Sequence, residues 1–153
     1  MTEPRQSAPA GAEEAVRSTC TEWYGAIEHL DFPVLRALWD PEFPDFVYQP
    51  EEYEEPIRDW EELLQYWDAV PTLVESVPRW AEIETDVAVV GRAALVFSRL
   101  DTSIRIRDMA RPFDGEVRCS LGLHEVKGSW RLIHYHESRL VSVDSVLAEL
   151  SET

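Results

Sequence analysis

The residues most capable of chemistry lie near the end of the chain, in the segment WRLIHYHESR from Trp130 to Arg139. His134 and His136 are separated by one residue, and Glu137 follows them directly. Imidazole nitrogens bind metal ions, and imidazoles and carboxylates transfer protons near neutral pH. The segment is therefore a metal site, an acid/base centre, or a strand that carries histidines for structural reasons.

A metal site in this segment would need a third ligand, because zinc sites in proteins use at least three side chains. His124, on the preceding predicted strand, is the obvious third ligand, since alternation would place it on the same face as the pair. The competing interpretation places His134 and His136 with Trp130 on the outer surface of a sheet or in an interface. Direct catalysis by one of the two histidines is the remaining alternative.

The composition describes an acidic globular protein. Its 153 residues include 30 acidic and 14 basic side chains, for a net charge of −16, and 44% of the residues are hydrophobic. A chain of this length is expected to form one domain with one hydrophobic core. The negative charge repels phosphate backbones and anionic lipids, so we expect neither a nucleic-acid nor a membrane partner.

The chain divides into a disordered leader at residues 1–12, a folded domain at 13–141 and a C-terminal tail at 142–153 with one or two helical turns. The leader has no apolar core that could act as an export signal. We therefore expect a cytoplasmic protein in which Cys20 and Cys119 are reduced thiols.

Helical spacing of apolar residues predicts one helix over residues 13–30 and a second, shorter helix directly after it. A short strand is predicted at 43–49. Asp59 can cap a third helix, whose apolar face continues to Val77 with a bend or restart at Pro71. Three helices should therefore precede most of the sheet.

After Pro78 the hydrophobic period changes from 3.6 to 2, which indicates β-strands. Turns at Gly91, at 112–116 and at Lys127–Gly128 would connect these strands as antiparallel neighbours. Helices followed by a strand meander predict an α+β fold, in which the helices pack on one face of a strongly curved, mainly antiparallel sheet. Such a cone-shaped α+β barrel has an interior that often holds a small-molecule pocket.

The segments VVGRAALVFSRL and KGSWRLIHYHES resemble the C-terminal strands of the nuclear transport factor 2-like superfamily, in particular its SnoaL-like branch and the association domain of calcium/calmodulin-dependent kinase. The last strand of these branches typically reads Trp, a basic residue, two apolar residues and His-x-His-x-Ser. Trp130, His134, His136 and Ser138 match that pattern. AIEHLDFPVLRALWD and DWEELLQYW resemble the helical half, so the resemblance covers residues 13–139.

The resemblance implies a conical pocket between the helices and the concave sheet, and a homodimer formed through the convex sheet face. In the kinase association domain, the residue between the second histidine and the serine is an arginine that points into the pocket. Here that residue is Glu137, so anion binding of that kind is not expected. The same register would turn four apolar residues of the preceding strand toward Glu137: Val117, Cys119, Leu121 and Leu123.

Apolar surroundings disfavour the charged form of a carboxylate and raise its pKa. Glu137 is thus predicted to be an acid or base that works near neutral pH, with Tyr135 on the same face of the strand. The family often points a first-helix aromatic residue into the pocket, so Tyr24 could donate a hydrogen bond to an oxyanion, and Tyr48 could help to polarise a carbonyl. The remaining aromatic candidates are either ligand contacts or core residues: Trp23, Trp39, Phe46, Trp60 and Trp67.

Two charged features complete the predicted site. Arg99, in a central strand, would either pair with Glu137 or a ligand anion, or lie on the convex surface. The segment 40–62 carries ten carboxylates and one basic residue, Arg58. It is either a solvated loop or a lid that disfavours anionic substrates. Asp45 is a second, weaker candidate for a catalytic carboxylate.

Together these features predict a small enzyme without metal or cofactor that acts on a neutral, largely apolar metabolite. The chemistry would be isomerisation, dehydration or aldol-type cyclisation, as in SnoaL-like members of natural-product pathways. Glu137 would be the acid/base, assisted by Tyr24 and Tyr48. One alternative is a non-catalytic domain of the same fold that binds a small-molecule ligand or dimerises. The other is a metal-dependent enzyme that uses the histidines.

Overall fold

A computed structural model describes residues 9–151, which form four helices and five strands. Of the predicted leader, residues 1–8 lie outside the described part. None of the four described helices is long and apolar enough to cross a membrane. The helices are α1 (Ala12–Glu28), α2 (Phe32–Ala37), α3 (Trp60–Leu73) and α4 (Val143–Ser151). The strands are β1 (Val47–Gln49), β2 (Val74–Val90), β3 (Ala93–Ile106), β4 (Phe113–Val126) and β5 (Ser129–Arg139).

The five strands make one curved, unclosed sheet in the order β1-β5-β4-β3-β2. The strands β2 to β5 form an antiparallel meander. Only the short β1 is parallel to its neighbour, and it sets Tyr48 beside Tyr135 of β5. The helix α1 packs against β2 and β5. The predicted α+β fold, with helices on a mainly antiparallel curved sheet, is confirmed.

The sequence explains which face of α1 is buried and where α2 and α3 begin. In α1, Val16, Cys20 and Trp23 recur at helical spacing and are fully buried, so one stripe faces the sheet. At the start of α2, Asp31 accepts a hydrogen bond from the Val34 amide at 3.3 Å. At the start of α3, Asp59 accepts one from the Glu62 amide at 3.0 Å. Both caps satisfy amides that have no partner within the helix.

Three predicted boundaries were wrong by more than two residues. The short strand predicted at 43–49 forms only at Val47–Gln49, after a turn. The third helix ends at Leu73 and β2 begins at Val74, although the helical pattern continued to Val77. Val74 adopts an extended backbone and pairs with Ile106, so sheet pairing overrides the helical spacing. The hairpin turn lies at residues 107–112, before the predicted position, and Phe113 to Glu116 already pair with β3.

A one-residue bulge in β5 decides which of its side chains face inward. Gly122 of β4 pairs with His134, but the next residue, Leu123, pairs with Leu132, which leaves Ile133 as the extra residue. Trp130 and Leu132 before the bulge, and Tyr135 after it, are therefore all buried. The prediction that Trp130 shares a face with the histidines is wrong, because simple alternation does not include this bulge.

Gly122 is the residue that permits the bulge to pack. A Cβ at this position would lie 2.9 Å from the Cβ of His134, and neither strand can move without disturbing the sheet. We expect Gly122→Ala to lower the free energy of unfolding by about 1–3 kcal/mol through this overlap. Urea denaturation monitored by tryptophan fluorescence measures the change.

The matched control is Gly25→Ala in α1, where nothing lies within 4 Å of the added Cβ. That substitution should raise the free energy of unfolding by about 0.5–1 kcal/mol, because alanine favours helix over glycine. Equal effects of the two substitutions would contradict the packing described for the bulge.

Candidate active site

Aromatic rings fill much of the space between α1, α3 and the sheet. The ring of Trp23 has its centroid 5.2 Å from that of Tyr135, 6.1 Å from Trp39 and 6.3 Å from Trp67. The contacts with Tyr135 and Trp39 are edge-to-face, a geometry that adds about 0.5–1.5 kcal/mol each to the gain from burial. Several predicted pocket residues are consequently buried core that does not line the cavity: Trp23, Trp39, Phe46, Cys119 and Leu121. Trp60 is half-buried and packs on Phe46 and Trp67.

A cavity of about 420 Å³ lies beside this aromatic core. Its walls are largely apolar and come from the first three helices and from β2 and β3, for example Ile27, Leu35, Val70, Val77 and Ile104. Of the predicted site residues, Tyr48, Trp67 and Glu137 line it. Its other polar lining includes Glu51, Glu52 and Tyr66, and no basic residue of the described chain contributes to the wall. The size suits a small organic molecule.

The carboxylate of Glu137 is the best-defined reactive group on this wall. Its Oε2 accepts a hydrogen bond from the Tyr135 hydroxyl at 2.7 Å, and its Oε1 accepts one from the Glu51 amide at 3.2 Å. The pKa of Glu137 is raised to about 7, chiefly by burial and in addition by the nearby carboxylates of Glu51 and Glu52, against the lowering effect of the two hydrogen bonds. Glu137 can therefore both accept and donate a proton near neutral pH.

A chain of hydrogen bonds leads from Glu137 into the core. The Tyr135 hydroxyl, which donates to Glu137, lies 3.4 Å from the Cys119 sulfur. Burial raises the pKa of both Tyr135 and Cys119 above their ordinary values. Both groups therefore stay protonated at neutral pH, and each can donate toward Glu137 rather than compete with it for a proton.

Two of the predicted site residues lie elsewhere. Tyr24 does not line the cavity, because its hydroxyl bonds the Ser98 hydroxyl at 2.5 Å on the inner face of β3. Arg99 points to the outer face, where it pairs with Glu116 at 2.5 Å and with Glu84 at 3.6 Å. It is the neighbour of the inward-facing Ser98, and adjacent strand residues face opposite ways. Pairing of Arg99 with Glu137 is thus wrong.

The sequence did not single out the residues that surround Glu137. Glu51 and Glu52 belong to the acidic segment, and Tyr66 donates a hydrogen bond from α3 to Glu52 at 2.7 Å. Trp80 and Arg139 also lie at the cavity or beside it. The acidic segment was the available signal. The sequence does not reveal the parallel pairing of β1 with β5, which places the acidic segment next to Glu137.

The histidines do not combine into a metal site. His124 bonds Asp40 at 2.7 Å instead, and His134 and His136 are exposed on the outer face of β5. Among residues 9–151, no group of three or more histidine, cysteine or acidic side chains could hold a metal ion. Asp45 is exposed and lines no part of the cavity.

The family profile that describes the SnoaL-like domain matches residues 16–142. This chain belongs to the SnoaL-like domain family. No curated protein matches the chain significantly. The confirmed family explains why the C-terminal strand motif and the helical half of this SnoaL-like domain both resembled the superfamily.

Solved structures share the fold at low sequence identity. A candidate dehydratase of the NTF2-like family from Streptomyces avermitilis has a TM-score of 0.76 at 19% identity, over 88% of this chain and 100% of that one. A candidate scytalone dehydratase from Novosphingobium aromaticivorans has a TM-score of 0.72 at 11% identity, over 84% and 83%. A candidate calcium/calmodulin-dependent kinase II association domain from Exiguobacterium sibiricum has a TM-score of 0.69 at 13% identity, over 89% and 98%. At these identities the likeness establishes the fold of the SnoaL-like domain alone.

The raised pKa of Glu137 should appear in the pH dependence of stability. A carboxyl group whose folded pKa exceeds its ordinary value stabilises the fold fully below the ordinary value, and this stabilisation is lost as pH rises through the folded pKa. The window for Glu137 runs from its ordinary value of 4.5 to about 7. Replacement by glutamine, which stays neutral, should remove this loss.

We therefore expect wild type and Glu137→Gln to have similar free energies of unfolding near pH 5. The variant should become more stable by about 2–3 kcal/mol near pH 8. Urea denaturation at both pH values measures the difference. A difference that does not change with pH would show that Glu137 titrates in its ordinary range.

Proposed function

We propose that this SnoaL-like domain is a small acid/base enzyme that needs no cofactor and acts on a neutral, largely apolar metabolite. The observation that carries the proposal is the position of Glu137, a carboxyl group with a pKa of about 7 on the wall of an apolar cavity. Isomerisation, dehydration and aldol-type cyclisation all need a group that removes a proton from carbon and returns one to carbon or oxygen. The two candidate dehydratases of the same fold support the same class of chemistry.

In the proposed reaction, ionised Glu137 takes a proton from a carbon next to a substrate carbonyl, and the electron pair of the broken C–H bond forms an enolate. In an isomerisation, Glu137 returns the proton to a second carbon. In a dehydration, the enolate expels a hydroxyl group, and protonated Glu137 supplies the proton that makes water. The substrate itself provides all the electrons, so the atoms balance without an oxidant or reductant.

Tyr48 is the proposed hydrogen-bond donor to the developing oxyanion. It lines the cavity next to Glu137, and its ring stacks on that of Tyr135 with centroids 5.2 Å apart. Burial raises the pKa of Tyr48 well above its ordinary value, so its hydroxyl keeps its proton. Tyr24 is left out of this role because its hydroxyl is bonded to Ser98.

A panel of β,γ-unsaturated cyclic ketones and β-hydroxy ketones tests the reaction, because both classes form a conjugated enone that absorbs in the ultraviolet. Glu137→Gln should lower kcat/KM on any ketone that turns over by roughly 10²–10⁴-fold, the usual contribution of a general base. Glu84→Gln, on the outer face of β2, is the matched control and should leave the rate unchanged. An unchanged rate in Glu137→Gln would remove Glu137 from the mechanism.

The second candidate function is a non-catalytic domain that binds a ligand or assembles as a dimer. The outer sheet face favours it, because Leu95 and Phe97 of β3 are 69% and 41% exposed beside Gly122 and His134. Native mass spectrometry, followed by denaturing extraction of any retained molecule, separates the two functions. A bound neutral molecule that the protein leaves unchanged would favour the binding domain.

We further propose that this outer face forms a homodimer interface, since exposed apolar patches on a sheet mark association surfaces. Leu95→Glu would place a charge in the centre of the interface and should convert the dimer to a monomer, as measured by light scattering after size-exclusion chromatography. Leu147→Glu on α4, where the leucine is 56% exposed, is the control and should keep the dimer. A wild-type monomer at micromolar concentration would overturn the proposed interface.

A further inference from the structure

Arg139, the last residue of β5, connects three parts of the chain beside the cavity. Its Nε and Nη2 donate hydrogen bonds to Glu51 Oε1 at 3.1 and 3.0 Å. Its Nη1 donates to the Thr102 hydroxyl of β3 at 3.2 Å. Its guanidinium carbon lies 4.1 Å from the centre of the Phe113 ring of β4. The side chain is therefore held by hydrogen bonds on two sides and by a cation–π contact on a third.

The pair formed by Arg139 and Glu51 is largely shielded from solvent, with side chains 13% and 19% exposed. The second carboxylate oxygen of Glu51 is buried and has no hydrogen-bond partner among the described residues. Arg139 is thus the group that compensates the charge of Glu51. Gly115 leaves room for the arginine, because a Cβ there would lie 2.9 Å from its Nη1.

Glu51 links this ion pair to the proposed catalytic group. Its carboxylate is held by Arg139, while its main-chain amide donates to Glu137 Oε1. The position of that amide depends on where the ion pair anchors the residue. The Tyr135 hydroxyl donates a hydrogen bond to the other oxygen of Glu137, Oε2. Both carboxylate oxygens of Glu137 are therefore oriented by donors that are themselves held in place. Glu52 is the remaining acidic residue on this wall, and Tyr66 holds it.

We propose that Arg139 is a positioning residue, which anchors Glu51 so that the Glu51 amide orients the Glu137 carboxylate toward the cavity. The catalytic meaning of this role rests on the proposed function of Glu137. Arg139 does not line the cavity itself, and each of its three nitrogens donates a hydrogen bond to Glu51 or Thr102. It is consequently not a binding group for an anionic substrate.

The test removes both partners of the ion pair together, so that neither is left as an unpaired buried charge. The double variant Arg139→Met/Glu51→Gln replaces the ion pair by two neutral side chains, but it also removes the Glu51 carboxylate that raises the pKa of Glu137. The control is Arg79→Met/Asp101→Asn, which removes an exposed pair that is 2.8 Å apart on the outer sheet. Amide hydrogen exchange at position 51 and carbon-13 NMR titration of Glu137 are measured in both double variants and in the wild type.

In Arg139→Met/Glu51→Gln we expect exchange at position 51 to accelerate at least ~10-fold, because the anchored segment opens more often. In this variant the lost hydrogen bond to its charged form raises the pKa of Glu137, whereas the lost Glu51 carboxylate lowers it, so the exchange rate at position 51 is the deciding measurement. The control variant should change neither quantity. Unchanged exchange at position 51 in the folded double variant would overturn the positioning role.

Arg139→Lys keeps the positive charge but loses the forked geometry of the guanidinium, and it serves where the double variant does not fold. It should accelerate exchange at position 51 by a smaller factor and raise the pKa of Glu137 by roughly 0.5, because Glu51 keeps its charge while the hydrogen bond from its amide weakens. Wild-type values of both quantities in this variant would also overturn the proposal. Neither measurement needs a substrate. A catalytic failure of Glu137 would therefore appear in the ketone assay, separately from a failure of the positioning role.

Discussion

The site depends on the one-residue bulge in β5 opposite Gly122. Without it, strict alternation would place Trp130 and Leu132 on the same face as His134, and the inner surface of β5 would lose two buried residues. Because of the bulge, Trp130 and Leu132 before it and Tyr135 after it all turn their side chains toward the core. The second half of the strand then brings Tyr135, Glu137 and Arg139 to the cavity side. Core packing and site geometry thus share one backbone irregularity.

Opposing effects set the protonation of Glu137. Burial favours the neutral acid, and the carboxylates of Glu51 and Glu52 act in the same direction, whereas the Tyr135 hydroxyl and the Glu51 amide stabilise the anion. Desolvation is the largest effect, so the pKa rises, but the two donors keep it near 7. A group balanced in this way responds to small changes in its neighbours. In the proposed enzyme, the anchoring of Glu51 by Arg139 would therefore affect the pKa of Glu137 as well as the local structure.

Local patterns predicted the helices and the meander, because burial on one face imposes periods of 3.6 and 2, whereas the inward direction of Glu137 was implied by the resemblance to the superfamily. These patterns failed where pairing between residues far apart in the sequence decides the local structure. Val74 follows a helical pattern yet pairs with Ile106, and the bulge at Ile133 has no signature in the spacing of apolar residues. The acidic segment that contains Glu51 was interpreted as a solvated loop or a lid. Its ion pair was not predicted, because the partner, Arg139, is 88 residues away in the sequence.

The aromatic core limits how a substrate can meet Glu137. Trp23, Trp67 and Tyr135 occupy the space that a deeper pocket would need, so a ligand must approach Glu137 from the side lined by α3 and the start of β2. Near Glu137 the wall offers carboxylates and tyrosine hydroxyls, and elsewhere it is mostly apolar. A carboxylate or phosphate on the ligand would lose its hydration there without gaining a positive partner. For the proposed reaction, the lining therefore favours substrates whose polar atoms are carbonyl or hydroxyl oxygens over anionic ones.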